Sequence, residues 1–333
     1  MNSKKILTIS IAAFNVEPFI RQTLNSLVVR DILDEVEVLI NDDGGSDSSL
    51  DIAKEYQEKY PDTFKAIHKE NGGYGSVFNY NIKIAKGKYF KLLDGDDWFN
   101  SDGLLKLVVL LKNNDADVIF TQYNYATNNE MKLAIKYDDD IVDKVLSVED
   151  FKFNAGTPMH ALTYKTDVLR ESGMSLKEHI LYTDNTYAAK PFLRVNTILF
   201  SNTLVYNYRL GLTTQSVGRQ SIVKHIEESK EVSLDLVEFY CNYVNDSVKS
   251  KNCIRVNIAS TCVNYVVGIL KMPMCVDSLN RLIRFDKEVR ELSLDLFDKM
   301  GKLDRKASKS LYLIRQSNYL LYWLFAFIYR FID

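Results

Sequence analysis

Cysteine is scarce and badly spaced for chemistry. The four that occur, Cys241, Cys253, Cys262 and Cys275, all lie in the C-terminal third. None forms a Cys-x-x-Cys pair, which argues against a thiolate zinc site and dithiol redox chemistry. Histidine is equally sparse, and His68, His160, His179 and His225 lack zinc-site spacing. Neither charge dominates: 42 Lys and Arg stand against 44 Asp and Glu, for a net charge of −2. Without a broad basic footprint, nucleic acid is not an expected partner. The short apolar run after Met1–Lys5 has no small-residue cleavage site behind it, so it reads as a first strand rather than a signal peptide. Reduced thiols and the missing leader together lead us to expect a cytoplasmic protein.

What is present is a chain of 333 residues, 46% hydrophobic and 26% charged, enough for one large domain or two smaller ones. Strand-like and helix-like segments alternate through the first half. The expected strands are Ile6–Ala12, Val36–Ile40, Phe64–His68, Tyr89–Leu93 and Ala116–Gln122. The expected helices are Glu17–Val29, Ser48–Tyr60, Ser76–Ala85 and Ser101–Lys112. Such alternation predicts an α/β fold with a doubly wound, mostly parallel sheet. From about Ser221 long helices follow: Lys224–Tyr243, Cys253–Leu270 and Val276–Asp298. We therefore expect a catalytic domain over 1–220 and a helical region over 221–333.

Polar clusters follow three of the strands: Ala12–Asn15, Asp42–Asp47 and Asp94–Asp97. In doubly wound sheets ligands bind beyond the carboxyl ends of the strands, so the three should converge on one crevice. The third cluster is the sharpest. An apolar run ends in Asp94-Gly95-Asp96-Asp97, where crowded like charges repel unless a cation sits among them. Carboxylate oxygens suit a hard divalent ion such as Mg²⁺ or Mn²⁺, whose remaining positions a phosphate can fill. The same four residues are also good turn chemistry.

These blocks, in this order, resemble a family 2 inverting glycosyltransferase of the GT-A fold, of the bacterial cell-surface polysaccharide and glycoconjugate type. The resemblance runs over roughly residues 4–220. It is carried by Ile9–Glu17, by Ile40–Ser49, by Asn71-Gly72-Gly73 through Asn79 to Gly87, by Asp94–Asp97 and by Tyr182-Thr183-Asp184-Asn185. Tyr206–Gly211 with Gln215-Ser216-Val217 continues it. It implies a sugar moved from a nucleotide donor, with UDP expected, to a glycan or lipid-linked glycan acceptor.

The resemblance also implies residue roles. Ala12, Phe14, Asn15, Glu17, Asp43, Asn71, Gly72, Gly73, Asn79, Asp94 and Gly95 would form the donor site, with Asp43 accepting the uracil N–H. Phe14 would cover the base or pack in the core. Asp94 would reach a ribose hydroxyl or support the metal site. Asp96, then Asp97, would hold Mn²⁺ or Mg²⁺ in this DxD motif. His225, Arg209 or Arg219 would approach the diphosphate, with His225 also a candidate metal ligand. Trp98 and His160 would touch the sugar or acceptor. Asp184 would be the general base or a helix cap. Many relatives carry Glu-Asp where this chain has Thr183-Asp184, which changes the neighbour of the base.

Two other functions fit the fold class: a nucleotidyltransferase that builds the nucleotide-sugar, or a non-catalytic glycan-binding scaffold. The span Ala12–Glu17 lacks the Gly-rich basic loop of the first, and the intact acids argue against the second. At the far end Gln316–Tyr329 is uncharged and strongly aromatic. It falls short of the ~20 residues that span a bilayer. It reads either as a helix docked on the inner membrane face or as one buried against the chain or a second subunit of a homo-oligomer.

Overall fold

The computed structural model describes residues 5–127, 129–212, 215 and 218–331. Ser216 and Val217, which belong to the resemblance above, lie outside the described residues. The chain divides into two compact units. The first comprises Met1–Val148, Pro158–Ile180 and Arg194–Leu212; the second comprises Glu149–Thr157, Leu181–Leu193 and Thr213–Asp333. This division falls a few residues before the boundary expected near 220, and it gives two earlier segments to the helical unit.

The first unit is built on a ten-stranded mixed sheet. Its strands are β1 (Leu7–Ala13), β2 (Val36–Asp42), β3 (Phe64–His68), β4 (Tyr89–Asp94), β5 (Trp98–Phe99), β6 (Val118–Ala126), β7 (Met131–Leu133), β8 (Val145–Ser147), β9 (Leu162–Lys165) and β10 (Thr197–Arg209). They run in the order β3-β2-β1-β4-β9-β6-β10-β5, with β7 paired to β6 and β8 to β10. β3, β2, β1 and β4 are mutually parallel, β9 runs against both of its neighbours, and β6 and β10 are parallel to each other. The parallel, doubly wound arrangement expected from sequence is present over β3, β2, β1 and β4, while the second half of the sheet is mixed, with β9, β5, β7 and β8 antiparallel to their neighbours. β2 is buried along its whole length, as strands covered on both faces must be.

Helices α1 (Glu17–Asn25), α2 (Ser49–Lys59), α3 (Gly73–Ile84), α4 (Ser101–Asn113) and α5 (Thr166–Glu171) cover this sheet. α1 stops four residues before the expected Val29. The Ser26 hydroxyl donates to the Thr23 carbonyl at 2.6 Å, a local bond that competes with helix continuation. α4 is capped by Asn100, whose side chain accepts from the Gly103 N–H at 2.8 Å. A Cβ on Gly103 would lie 1.8 Å from the Leu204 carbonyl oxygen on β10. In a free helix Gly→Ala stabilises by about 1 kcal/mol. Here the clash reverses the sign, and Gly103→Ala should destabilise by about 1–3 kcal/mol, read as a lower urea midpoint at unchanged m-value.

The second unit holds α6 (Asp184–Ala189), α7 (Arg219–Lys224), α8 (Ile226–Tyr243), α9 (Lys251–Lys271), α10 (Val276–Leu292), α11 (Leu294–Gly301), α12 (Lys306–Gln316) and α13 (Tyr322–Tyr329). α9 is the one helix among the described residues long and apolar enough to cross a membrane, yet it is largely buried, and it packs against the other helices of the unit. The single helix expected over Val276–Asp298 breaks at Ser293. That residue is extended, and its side chain accepts from the Leu296 N–H at 3.3 Å, so it caps a new helix.

Candidate functional site

The register of the parallel strands sets the site. On β1, Ala13 lies beside Asp42 of β2 and Ala12 beside Asp94 of β4. The ends of three adjacent strands thus carry the three polar clusters to one edge of the sheet.

The second cluster is heavily cross-braced. Asn15, held at φ 53°, accepts from the Ser46 N–H at 2.9 Å. Glu17 accepts from the Ser48 N–H at 3.0 Å, and its own N–H donates to Asp47 at 2.8 Å. Asn15 and Glu17 therefore hold the acidic turn against α1. Asp42 accepts from the Gly45 N–H at 3.2 Å and pairs with His68 Nδ1 at 2.7 Å. Phe14 is 51% exposed, so it is not packed in the core, and its ring is available to a base.

Asp43 is only 3% exposed and organises the loop after β3. Oδ1 accepts from Lys69 Nζ at 2.6 Å and the Gly72 N–H at 3.0 Å, and Oδ2 accepts from the Gly73 N–H at 2.7 Å. Its backbone carbonyl accepts from Asn71 Nδ2 at 2.9 Å. Among the described residues Oδ2 takes a single donor and keeps an acceptor site for a further N–H, whereas Oδ1 is engaged by Lys69 and Gly72. Gly73 sits at φ 77°, and a Cβ there would lie 3.1 Å from the His179 nitrogen, so glycine is required. Asn79 does not face this edge through its amide, which is spent on the Leu176 backbone at 2.8 and 2.9 Å.

The third cluster is packed beneath by aromatic rings. Asp97 is fully buried. Tyr206 OH donates to its Oδ2 at 2.6 Å and the Arg209 N–H to its Oδ1 at 2.7 Å. Burial, with the Asp96 charge beside it, pushes the Asp97 carboxyl up to about 8. Burial also raises Asp96, against the pull of Arg209. The Asp94 N–H donates to Tyr206 OH at 3.2 Å. Gly95 has no room for a side chain, since a Cβ would meet the Ala12 carbonyl at 2.8 Å.

Arg209 straps this loop. Its Nε donates to the Asp96 carbonyl and its Nη2 to Gln22 Oε1, both at 2.7 Å. The guanidinium lies 4.9 Å from the Phe19 ring centroid and 4.6 Å from that of Trp98. Trp98 thus carries Arg209.

His160 is brought close to the acids. One ring nitrogen and one oxygen each of Asp94 and Asp97 lie within 4.8 Å of one another. The imidazole stacks on Tyr208 at 4.3 Å and Tyr123 at 5.3 Å, and its Nδ1 is buried without a partner among the described residues. Burial, with Lys91 nearby, holds it neutral, pushed down to about 3. Among the described residues, the site's fit to a divalent ion rests on two observations: crowded carboxyls whose protonation rises when they are left uncompensated, and a neutral imidazole with one nitrogen beside them.

Lys91 supports this arrangement from below. It is the lone charge inside the apolar strand Tyr89–Leu93, a signal the sequence offered. It is fully buried, and Nζ donates to the carbonyls of His160 at 2.8 Å and Leu162 at 3.1 Å. Desolvation pushes its pKa down to about 7. Between about 7 and its unfolded value near 10.4 the unfolded chain binds the extra proton, so this contribution to stability rises with pH. In urea melts at pH 7.5 and 9.0, wild type should gain on Lys91→Met by about 1.4 kcal/mol per pH unit. Parallel pH responses would place the charge of Lys91 elsewhere.

Asp184 and His225 lie in the second unit. Asp184 is the first residue of α6, and Thr183 before it makes no side-chain cap bond. Its carboxyl is raised by desolvation, and Oδ1 accepts from Asn185 Nδ2 at 3.2 Å. Tyr182, just before it, is held at φ 65°, a costly conformation for a tyrosine. Glu228, which sequence reasoning did not single out, ties this segment down. Its Oε2 accepts from the Leu181 N–H and its Oε1 pairs with His225 Nδ1, both at 2.6 Å. Arg219 is spent on the Lys271 carbonyl at the end of α9.

Residues 8–161 match the sequence profile of Glycosyl transferase family 2. A putative glycosyltransferase of Bacillus subtilis, EpsH, is 25% identical over 224 residues, 62% of each chain. The poly(ribitol-phosphate) beta-glucosyltransferase of Bacillus spizizenii is 30% identical over 206 residues, 61% of this chain and 32% of that one. The matched stretches thus cover less than two thirds of these relatives. Among solved structures, S. aureus TarS 1–349 superposes with a TM-score of 0.64 at 17% identity, over 98% of this chain and 91% of that one. Its complex with UDP-GlcNAc gives 0.59 at 16% identity, over 94% and 92%. That likeness identifies the fold as GT-A-like, with a helical C-terminal region.

Proposed function

The chain carries a glycosyltransferase family 2 domain, and from that premise we propose that it is a metal-dependent inverting transferase. It moves a sugar from a UDP-sugar to a glycan or lipid-linked glycan acceptor of a bacterial surface polymer. The observation that carries the reading is the register of β1 with β2 and β4, which brings Asp42 and Asp94, on the two strands flanking β1, to the same end of the sheet. The UDP-GlcNAc complex of TarS and the poly(ribitol-phosphate) relative support the donor and acceptor classes.

In this reading Phe14 covers the base and Asp43 holds the loop that walls it, with its Oδ2 accepting the uracil N–H beside the Gly73 N–H. Asp94 takes a ribose hydroxyl. Asp96 leads the metal ligands, because its carboxylate takes no side-chain partner among the described residues, whereas both oxygens of Asp97 are engaged; Asp97 and His160, grouped with Asp94 within 4.8 Å, are the further candidates. A divalent ion held there, Mn²⁺ or Mg²⁺, supplies charge neutralisation for the departing diphosphate. Asp184 accepts the acceptor hydroxyl's proton during attack. Four free cysteines favour a reducing, cytoplasmic setting.

The test is ³¹P NMR of the purified chain with Mn²⁺, a panel of UDP-sugars and a cell-surface glycan extract. UDP should accumulate. Pyrophosphate instead would identify a nucleotidyltransferase, and no turnover with any donor would favour a binding scaffold.

A further inference from the structure

α12 and α13 both pack on α9, and their outer sides are exposed among the described residues. α13 turns Tyr322, Ala326 and Tyr329 inward, spaced as one helical face. The opposite face carries Trp323, Leu324, Phe327 and Ile328, extended by Leu320 and Phe331. All six are exposed, with Leu320 at 78% and Phe331 at 76%. A contiguous apolar patch of this kind marks an interaction site.

The patch is firmly mounted. Arg315 of α12 forms a two-point bond to the buried Asp286 of α10, at 2.8 and 2.6 Å, and Tyr319 OH donates to the same carboxylate at 2.8 Å. On the outer side of α12, exposed Lys306 and Lys309 lead to exposed Tyr312 and Leu313. Lys309 pairs with Asp304 at 3.1 Å, an exposed contact worth little.

Charge selects the occupant. Arg315 is spent on Asp286 and Lys302 pairs with Asp298, but Lys306, Lys309 and Arg330 are exposed beside the patch, with Asp304 the acid among them. A second copy on a two-fold axis would bring the same positive excess against itself. An anionic bilayer supplies the complement, and Trp, Tyr and Phe suit its interface. Eight residues of helix reach about 12 Å, far short of the ~30 Å hydrocarbon core, so α13 lies in the surface and does not span it.

We propose that the outer face of α12–α13 docks the chain on an anionic lipid surface, with the α13 side chains in the acyl boundary and the α12 lysines among headgroup phosphates. The proposal deepens the transferase reading, on which its purpose rests, by placing the enzyme where lipid-linked acceptors are.

Vesicle flotation tests it, using phosphatidylcholine alone or with about 30 mol% phosphatidylglycerol. The full chain should float with the anionic vesicles at least about tenfold better than with neutral ones, and release in high salt. The triple variant L324S/F327S/F331S should lose at least about tenfold of that binding, with its melting temperature and UDP-induced shift unchanged. K306E/K309E should weaken anionic binding alone. Failure of wild type to float with anionic vesicles would overturn the proposal, as would a dimer that does not float and that the triple substitution dissociates. UDP binding on the same samples reads the transferase proposal separately.

Discussion

Asp184→Asn should leave UDP binding intact and lower the transfer rate by roughly 10²–10⁴-fold, the usual worth of a positioned base. The environment of Asp184 argues for this size of effect. At the first position of α6 the helix dipole favours the anion, yet desolvation wins and the carboxyl is raised. A carboxylate less acidic than in water is a better proton acceptor. Tyr182 at positive φ and Glu228 on the Leu181 N–H hold the segment in a conformation it would not choose alone. Asparagine keeps the shape and can still accept from Asn185, so a fall in kcat at constant donor affinity separates chemistry from folding. Because the base must be deprotonated, kcat should rise with pH through the raised value of Asp184, and the variant should lose that limb. Full activity of the variant would make the residue structural.

Asp96→Asn should abolish the metal-dependent part of nucleotide binding. With Mn²⁺ and UDP at 100 times the dissociation constant, wild type gains about 2.7 kcal/mol of apparent stability, and the variant should gain none. The geometry makes the test selective. Asp96 contacts Arg209 through its backbone carbonyl, so removing its charge leaves the loop strapped. Replacing Asp97 would instead disturb bonds to Tyr206 and the Arg209 backbone inside the fold. Unchanged Mn²⁺-dependent affinity in Asp96→Asn would remove it from the metal site.

The half of the fold built from local signals was legible in the sequence. β1 to β4 are apolar runs punctuated by acidic or glycine-rich turns, and α2, α4, α8, α9 and the start of α10 follow helical spacing closely. β9 and β10 were not legible, because their neighbours in the sheet are far away in sequence: Tyr164 pairs with Phe90 and Val118, and Ile198 with Val118. Nor did local pattern give Glu149–Thr157 to the helical unit, where the Thr157 N–H donates to Asn257 at 2.7 Å.

The candidate acids could be read from their clustering, but their surroundings could not. Asp43 is held by donors from residues 26 to 30 positions away. His160 is caged by Tyr123, Tyr206 and Tyr208, which only the folded sheet assembles. Lys91 was the visible anomaly, since a charge in a buried strand must be held by something.

The most direct test is a thermal-shift titration of the purified chain with UDP, GDP and CDP, each with and without Mn²⁺. A Mn²⁺-dependent rise in melting temperature with UDP alone is expected from a metal-held UDP-sugar site beyond β1, β2 and β4. No shift with any nucleotide, in either metal condition, would contradict it and reduce Asp94–Asp97 to a turn.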